Sequence, residues 1–313
     1  MAGTNGASTV AERFRGLIMP IPTVFDGQGE VDMETQAELV DWYVDRGVHG
    51  FFVLGSQGQG PACRTDQRKA VAESVINKVS GRVPVVIQVG AIDPYTSMDL
   101  AAHARQAGAD AIGIVGPYYY SDRSEWDLIE QHKMVNEAGK LPMFLYNNPG
   151  YSGYATTPEM MVKLRNEIPG IFGAKLAWGS IEQAVSYLRM LGKDFNVFIP
   201  VTQMLPGMLL GVCGSIAAGV PVTVPEAGVA LVEAIRAGEL ERAQELQLRM
   251  FEFSDRTASL SKYGRATTRV GLQIRGLPVK QYPRWPSKDM TDEDRTLLES
   301  SMNQLLSEVA VPV

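Results

Sequence analysis

The chain has 313 residues, of which 45% are hydrophobic and 20% charged, the balance of a globular domain with a large core rather than of a disordered segment. A net charge of −6 and a pI near 5.3, with no basic cluster, argue against nucleic acid as a partner. The three histidines (His49, His103 and His132) lie scattered without metal-ligand spacing, so no metal site is expected.

The first stretch, MAGTNGASTVAERFR, lacks the apolar core of a signal peptide, and residues 1–13 read as a short flexible tail. No apolar run reaches the roughly 18 residues of a membrane-spanning helix, so no membrane partner is expected. Cys63 and Cys213 do not make a disulfide framework and fit a reducing, cytoplasmic setting.

Short apolar runs then alternate with longer amphipathic segments. The runs are GLIMPIPTVF (16–25), GFFVLG (50–55), VPVVIQVG (83–90), ADAIGIVG (109–116), LPMFLYNN (141–148), IFGAKLA (171–177), NVFIPV (196–201) and GSIAAG (214–219). Each is bounded by Gly, Pro or Asp, and continuous apolar runs of this kind suit strands buried on both faces. Between them, Leu39, Val40, Tyr43 and Val44 repeat at helical spacing up to a stop at Gly47. TDQRKAVAESVINKVSG opens with a capping Thr65 or Asp66 and ends at Gly81, and SEWDLIEQHKMVNEAG behaves alike.

Alternating strands and helices imply parallel pairing with right-handed crossovers, and units in this number close best as a (β/α)8 TIM barrel, an α/β fold, over residues 14–224. The alternative is an open doubly wound sheet, but no glycine-rich dinucleotide fingerprint follows the first strand. Residues 225–313 read as a C-terminal helical domain, with a proline-rich connection LPVKQYPRWPSKD (277–289) before the last helix.

Lys175 stands inside an apolar run, late in the sixth strand, where barrel active sites lie. Strand alternation points Ile171, Gly173, Lys175 and Ala177 to one side and Phe172, Ala174 and Leu176 to the other, and the small residues leave room for a ligand beside the lysine. Burial disfavours the charged form of an amine, and a neutral amine is a nucleophile for carbonyl carbon. The competing reading is a lysine whose stem follows the strand end to solvent. YNNPGYSG (146–153) follows the fifth strand, so Tyr146 sits at the same barrel end, where a phenol shuttles protons. LGSQGQGPACRT (54–65) follows the second strand; its glycines free backbone N–H groups, and Ser56 and Gln57 add donors suited to a carboxylate or phosphate.

These motifs, with PIPTVF and GPYYY, come in an order that resembles the dihydrodipicolinate synthase and N-acetylneuraminate lyase family, from about residue 14 to 305. The resemblance implies a (β/α)8 barrel with a C-terminal helical domain, assembled as a homotetramer. It implies carbon–carbon bond cleavage or formation between pyruvate, or a related 2-oxo acid, and an aldehyde. The chemistry would run through a lysine Schiff base, without a cofactor beyond that covalent imine. Lys175 would form the imine, Tyr146 would shuttle protons, and Tyr119 would complete a relay from a neighbouring subunit. Gly55, Ser56, Gln57, Gly58 and Gln59 map onto the hydroxyl-rich loop that holds the 2-oxo acid carboxylate, and Thr23 would lie under the lysine.

The sequence also departs from the family's pattern. Its paired threonines are here Ser56 and Gln57, so one hydroxyl of the usual relay is lost. The arginine that follows the tyrosine motif in the synthase branch is here Tyr151, which forfeits a bidentate carboxylate clamp. The seventh strand continues as IPVTQML in place of a glycine–aspartate signature. Tyr151, Trp178 and Gln203 are candidates to line a pocket for a less polar or aromatic partner. Two other outcomes stay open: a dehydratase, deaminase or hydratase-aldolase working through the same imine, and a non-catalytic barrel that binds a small acid.

Overall fold

The apolar runs become strands because each is too short for a stable helix and apolar on both faces. The computed structural model describes residues 10–120, 122–177, 179–216 and 218–310. Its strands are β1 (Gly16–Met19), β2 (Gly50–Val53), β3 (Val85–Gln88), β4 (Ala111–Val115), β5 (Met143–Asn147), β6 (Ile171–Leu176), β7 (Asn196–Ile199) and β8 (Gly214–Ile216). They are parallel and close in sequence order, β8 pairing back onto β1 through Gly16 and Gly214. This is a TIM barrel, as the alternation predicts.

The crossovers are helices α1 (Met33–Val44), α2 (Thr65–Val79), α3 (Pro94–Ala107), α4 (Glu125–Gly139), α5 (Pro158–Glu167), α6 (Ile181–Leu191) and α7 (Met204–Leu209). Asp32, Asp93 and Ser124 cap α1, α3 and α4 by accepting from backbone N–H groups of the first turn. Thr65, expected as a cap, is instead the first residue of α2; the Gln67 side chain accepts from the Arg64 N–H across that end. α2 stops at Val79, and both residues after it, Ser80 (φ 48°) and Gly81 (φ 74°), take positive φ.

α8 (Pro225–Ala237) lies over β1 so closely that a Cβ on Gly228 would come 2.9 Å from Leu17. It follows β8 and packs both on β1 and on the helix after it. Helix follows helix from there on, and the sequence pattern does not mark which of them the sheet claims. The helices that follow are α9 (Leu240–Arg256), α10 (Ala266–Ile274) and α11 (Asp292–Val309). Arg242 of α9 donates to Val309 O at the end of α11 (2.8 Å). No helix among the described residues is long and apolar enough to cross a membrane.

Two cores result. The larger lies between strands and helices; the smaller fills the barrel and is rich in phenylalanine. Phe14 enters the barrel from below and meets Phe144, Phe172 and Phe198 edge-on, with ring centroids 5.5, 6.0 and 5.4 Å away. Residues 1–9 of the expected tail lie outside the described residues. Residues 10–13, expected to share that tail, form a helical turn with Val10 and Ala11 buried against the small core.

The alternation expected for β6 holds only from Gly173 onward. Met143 pairs with Ile171 but Phe144 pairs with Gly173, so one residue of β6 is extra there. The bulge turns Phe172 into the barrel and leaves Ile171 in the outer core. Gly173 is needed at this point, since a Cβ would come 2.5 Å from Asn196 O and 3.1 Å from the Phe144 ring.

Candidate active site

Downstream of the bulge the register puts Lys175 of β6 beside Tyr146 of β5. Lys175 is 8% exposed and Tyr146 6%, and the lysine Nζ stands 4.5 Å from the centroid of the tyrosine ring. The phenol is held on two further sides: Ser56 Oγ lies 3.1 Å from its Oη, and Asn148 Nδ2 donates to it at 3.0 Å. Burial pushes the Tyr146 phenol up. The Lys175 charge and the hydrogen bonds from Ser56, Asn148 and Lys175 pull it down more strongly, and it comes to rest below the ordinary tyrosine value. A phenol so placed gives up and regains a proton more readily than one in water.

Each neighbour owes its place to local backbone. Asn147 braces the chain after β5: its Nδ2 donates to Thr156 O (2.9 Å) and its Oδ1 accepts from Thr156 N (3.1 Å). Between them a helical turn, Pro149–Ser152, carries Tyr151 to the barrel mouth and ends on Gly153 in the left-handed region (φ 77°). After β2 the chain doubles back so tightly that any side chain at Gly60 would collide with Leu54 O. The residues of that loop are tied down from the far end of the chain. Arg265 Nη1 donates to Ser56 O (2.8 Å), Tyr282 Oη to Gln57 O (2.8 Å), and Arg284 N to Gln59 Oε1 (2.8 Å).

Two adjoining cavities open at this end. One, of about 260 Å³, is lined by Lys175, Tyr146, Ser56, Gln57 and Arg265 among others. The other, of about 400 Å³, is mostly apolar, with Ile92, Val115, Tyr118 and Trp285 in its wall. Ser56, Tyr146, Tyr151 and Arg265 belong to both. A further cavity of about 320 Å³ lies at the opposite barrel end, near Arg15 and Asn196, where the strands begin and no barrel chemistry is expected.

Of the residues singled out in the sequence, Lys175, Tyr146, Ser56, Gln57 and Tyr151 thus come together. Tyr119 lies on the rim of the apolar cavity, 80% exposed and in the left-handed region (φ 81°). Gly55 is buried against the Phe52 ring, and a Cβ there would come 2.7 Å from it. Thr23 is buried but lines neither cavity. Gln203 lines neither as well: its Nε2 turns away to Gly179 O (3.2 Å). Trp178 falls outside the described residues. Among the described residues no group of His, Cys, Asp or Glu is arranged to hold a metal.

Sequence reasoning missed Asn148 and Arg265. Asn148 had a signal, since it stands two residues after Tyr146 at the end of a strand. Arg265 had none: it lies 209 residues from the loop it grips.

A barrel with a buried lysine–tyrosine pair at the C-terminal ends of adjacent strands is built for carbonyl chemistry. The model of the dihydrodipicolinate synthetase family matches residues 13–305. A 4-hydroxy-tetrahydrodipicolinate synthase of Desulfotalea psychrophila is 31% identical, over 95% of this chain and 98% of that one. A probable 2-dehydro-3-deoxy-D-pentonate aldolase of Escherichia coli, YjhH, is 31% identical, over 90% and 94%. Among solved structures, YagE of E. coli in complex with pyruvate superposes with a TM-score of 0.84 at 28% identity, over 94% of this chain and 99% of that one. The chain belongs to the dihydrodipicolinate synthetase family, and so to the pyruvate-dependent class I aldolases and lyases, which work through a lysine Schiff base without a cofactor.

Proposed function

We propose that Lys175 is the imine-forming residue and that the protein makes or breaks a carbon–carbon bond between pyruvate, or a related 2-oxo acid, and an aldehyde. Lys175 Nζ attacks the ketone carbon and water leaves, giving a protonated imine. That cation draws electrons from the neighbouring carbon, so loss of a proton there gives an enamine. The enamine carbon adds to the aldehyde, and the new alkoxide takes the Tyr146 proton. Water then hydrolyses the imine and frees the product. In the cleavage direction the Tyr146 phenolate removes the hydroxyl proton and becomes the phenol. The iminium does the polarising that a metal would otherwise do.

The observation that carries this reading is the pairing of a buried lysine with a phenol held by Ser56 and Asn148 (3.1 and 3.0 Å). The loop at Gly55, Ser56 and Gln57 takes the carboxylate of the 2-oxo acid. Tyr119, largely exposed on one chain, serves the proton relay of a neighbouring subunit in a homotetramer. Its left-handed backbone (φ 81°) favours a positional role, since a bulky residue rarely adopts that conformation without a compensating contact. The two free cysteines suit a cytoplasmic location.

Incubation with pyruvate and borohydride, followed by peptide mass mapping, tests the reading. A reduced adduct on Lys175 is expected. Adduct on another lysine, or none with any 2-oxo acid, overturns it.

A further inference from the structure

The arginine missing from the loop after Tyr146 is matched by one that arrives from elsewhere. Arg265 precedes α10, is half-buried, and stands in the wall common to both cavities. Its hydrogen-bond partners there are neutral: Ser56 O (2.8 Å), Gln57 Oε1 (3.4 Å) and Tyr151 Oη (3.2 Å). Among the described residues no carboxylate pairs with it. Arg46 and Arg275, by contrast, share Glu226, and Arg269 meets Asp289. Buried Arg68 also has neutral partners, Gln88 O (2.9 Å) and Gln88 Oε1 (2.8 Å), but it lines neither cavity, so Arg265 alone of these two meets a ligand's space.

Dipoles position a guanidinium without neutralising it. A cation kept out of bulk water and held by neutral acceptors keeps its affinity for an anion, and charge-assisted hydrogen bonds are the strong ones. Tyr151, in the sequence position that forfeits the clamp, here steadies the guanidinium through its hydroxyl. The apolar cavity beyond offers Ile92, Val115, Tyr118 and Trp285 to whatever lies between the reacting carbon and that charge.

We propose that Arg265 is a specificity residue for the second substrate, binding an acidic group on an aldehyde whose flat, apolar body occupies the adjoining cavity. This rests on the imine reading above and names the class of aldehyde that the same site takes. The carboxylate of the 2-oxo acid has its own receptor in the Ser56–Gln57 loop, so the two anions of the ternary complex fall on different donors.

The test locks pyruvate onto Lys175 with borohydride and titrates the product by calorimetry with 4-formylbenzoate and with its methyl ester. Turnover is not needed. The wild-type protein is expected to bind the acid at least about 10-fold more tightly than the ester, the size of one hydrogen-bonded charge contact. R265Q is expected to abolish that ratio and R265K to restore part of it. A simple brace for the loop predicts that R265Q weakens acid and ester alike, and that result overturns the inference. So does a wild-type protein that does not distinguish the two. Failure to trap pyruvate at all overturns the imine reading itself, and this inference with it.

Discussion

The lower and upper halves of the barrel interior are made by the same strands and put to opposite uses. Below, Phe14 and Phe144, Phe172 and Phe198 interlock and leave no room. Above, the inward positions of β5 and β6 carry Tyr146 and Lys175, and space opens around them. The bulge in β6 is the hinge between the two regimes: it drops Phe172 into the plug and still delivers Lys175 inward. Cohesion is thereby concentrated at one end, which leaves the other free to hold polar groups and a cavity that a tightly packed core would exclude.

This division is breakable by experiment, and the largest effects are expected above. Lys175→Met removes the proposed nucleophile, so turnover and the borohydride-trapped adduct are both expected to vanish while the melting temperature holds. Residual turnover in purified variant would show that another group does the chemistry. Tyr146→Phe keeps the ring and deletes the hydroxyl proposed to carry the proton; kcat is expected to fall by about 10²- to 10⁴-fold, read in steady-state kinetics. A smaller loss would move the proton work to another group.

The lower half answers through stability. Phe144→Ala opens a void among four rings and is expected to cost about 3–5 kcal/mol in chemical denaturation. Its kcat per folded molecule is expected to stay near wild type. A collapse of kcat in protein that circular dichroism shows folded would mean that the plug tunes the mouth and that the halves are not separate.

Finer effects sharpen the boundary. Asn148→Leu removes a donor from the Tyr146 oxygen, so the phenol pKa rises. The alkaline limb of the pH–rate profile should move upward, with kcat down about 10-fold. The smallest effect belongs to neither half. His132 of α4 is buried with Nδ1 on Leu128 O (2.6 Å), and burial holds its pKa below 6.5. A depressed folded-state value means the unfolded chain binds the proton more readily. Its contribution is therefore intact above about pH 6.5 and is lost as pH falls through the lower folded-state value. Melting temperatures from about pH 8 to 5 should decline, and less steeply in His132→Gln. An equal decline would clear His132 of the effect.

The barrel was legible because its strands are buried on both faces and announce themselves as unbroken apolar runs. Lys175, Tyr146 and the Ser56–Gln57 loop were legible because each sits just where a run ends, and the fold gathers all such ends on one rim. The inward side of β6 was not readable through Phe172, because an inserted residue shifts the two-residue period without leaving a mark in composition. Gln203 follows β7 and so shares that rim, but a 3₁₀ turn, Val201–Gln203, swings it out of the cavities. Arg265 illustrates the deeper limit: its partners are set by how a helical extension folds back over the barrel, which no local window records.

That fold-back carries a consequence for how the protein comes into being. Residues 56–59 take their final shape only in the grip of residues 265, 282 and 284, more than 200 positions downstream. A ribosome must therefore have made residue 284 before all three ties can form, and a product cut short before residue 265 would carry Lys175 beside a loop that lacks every one of them.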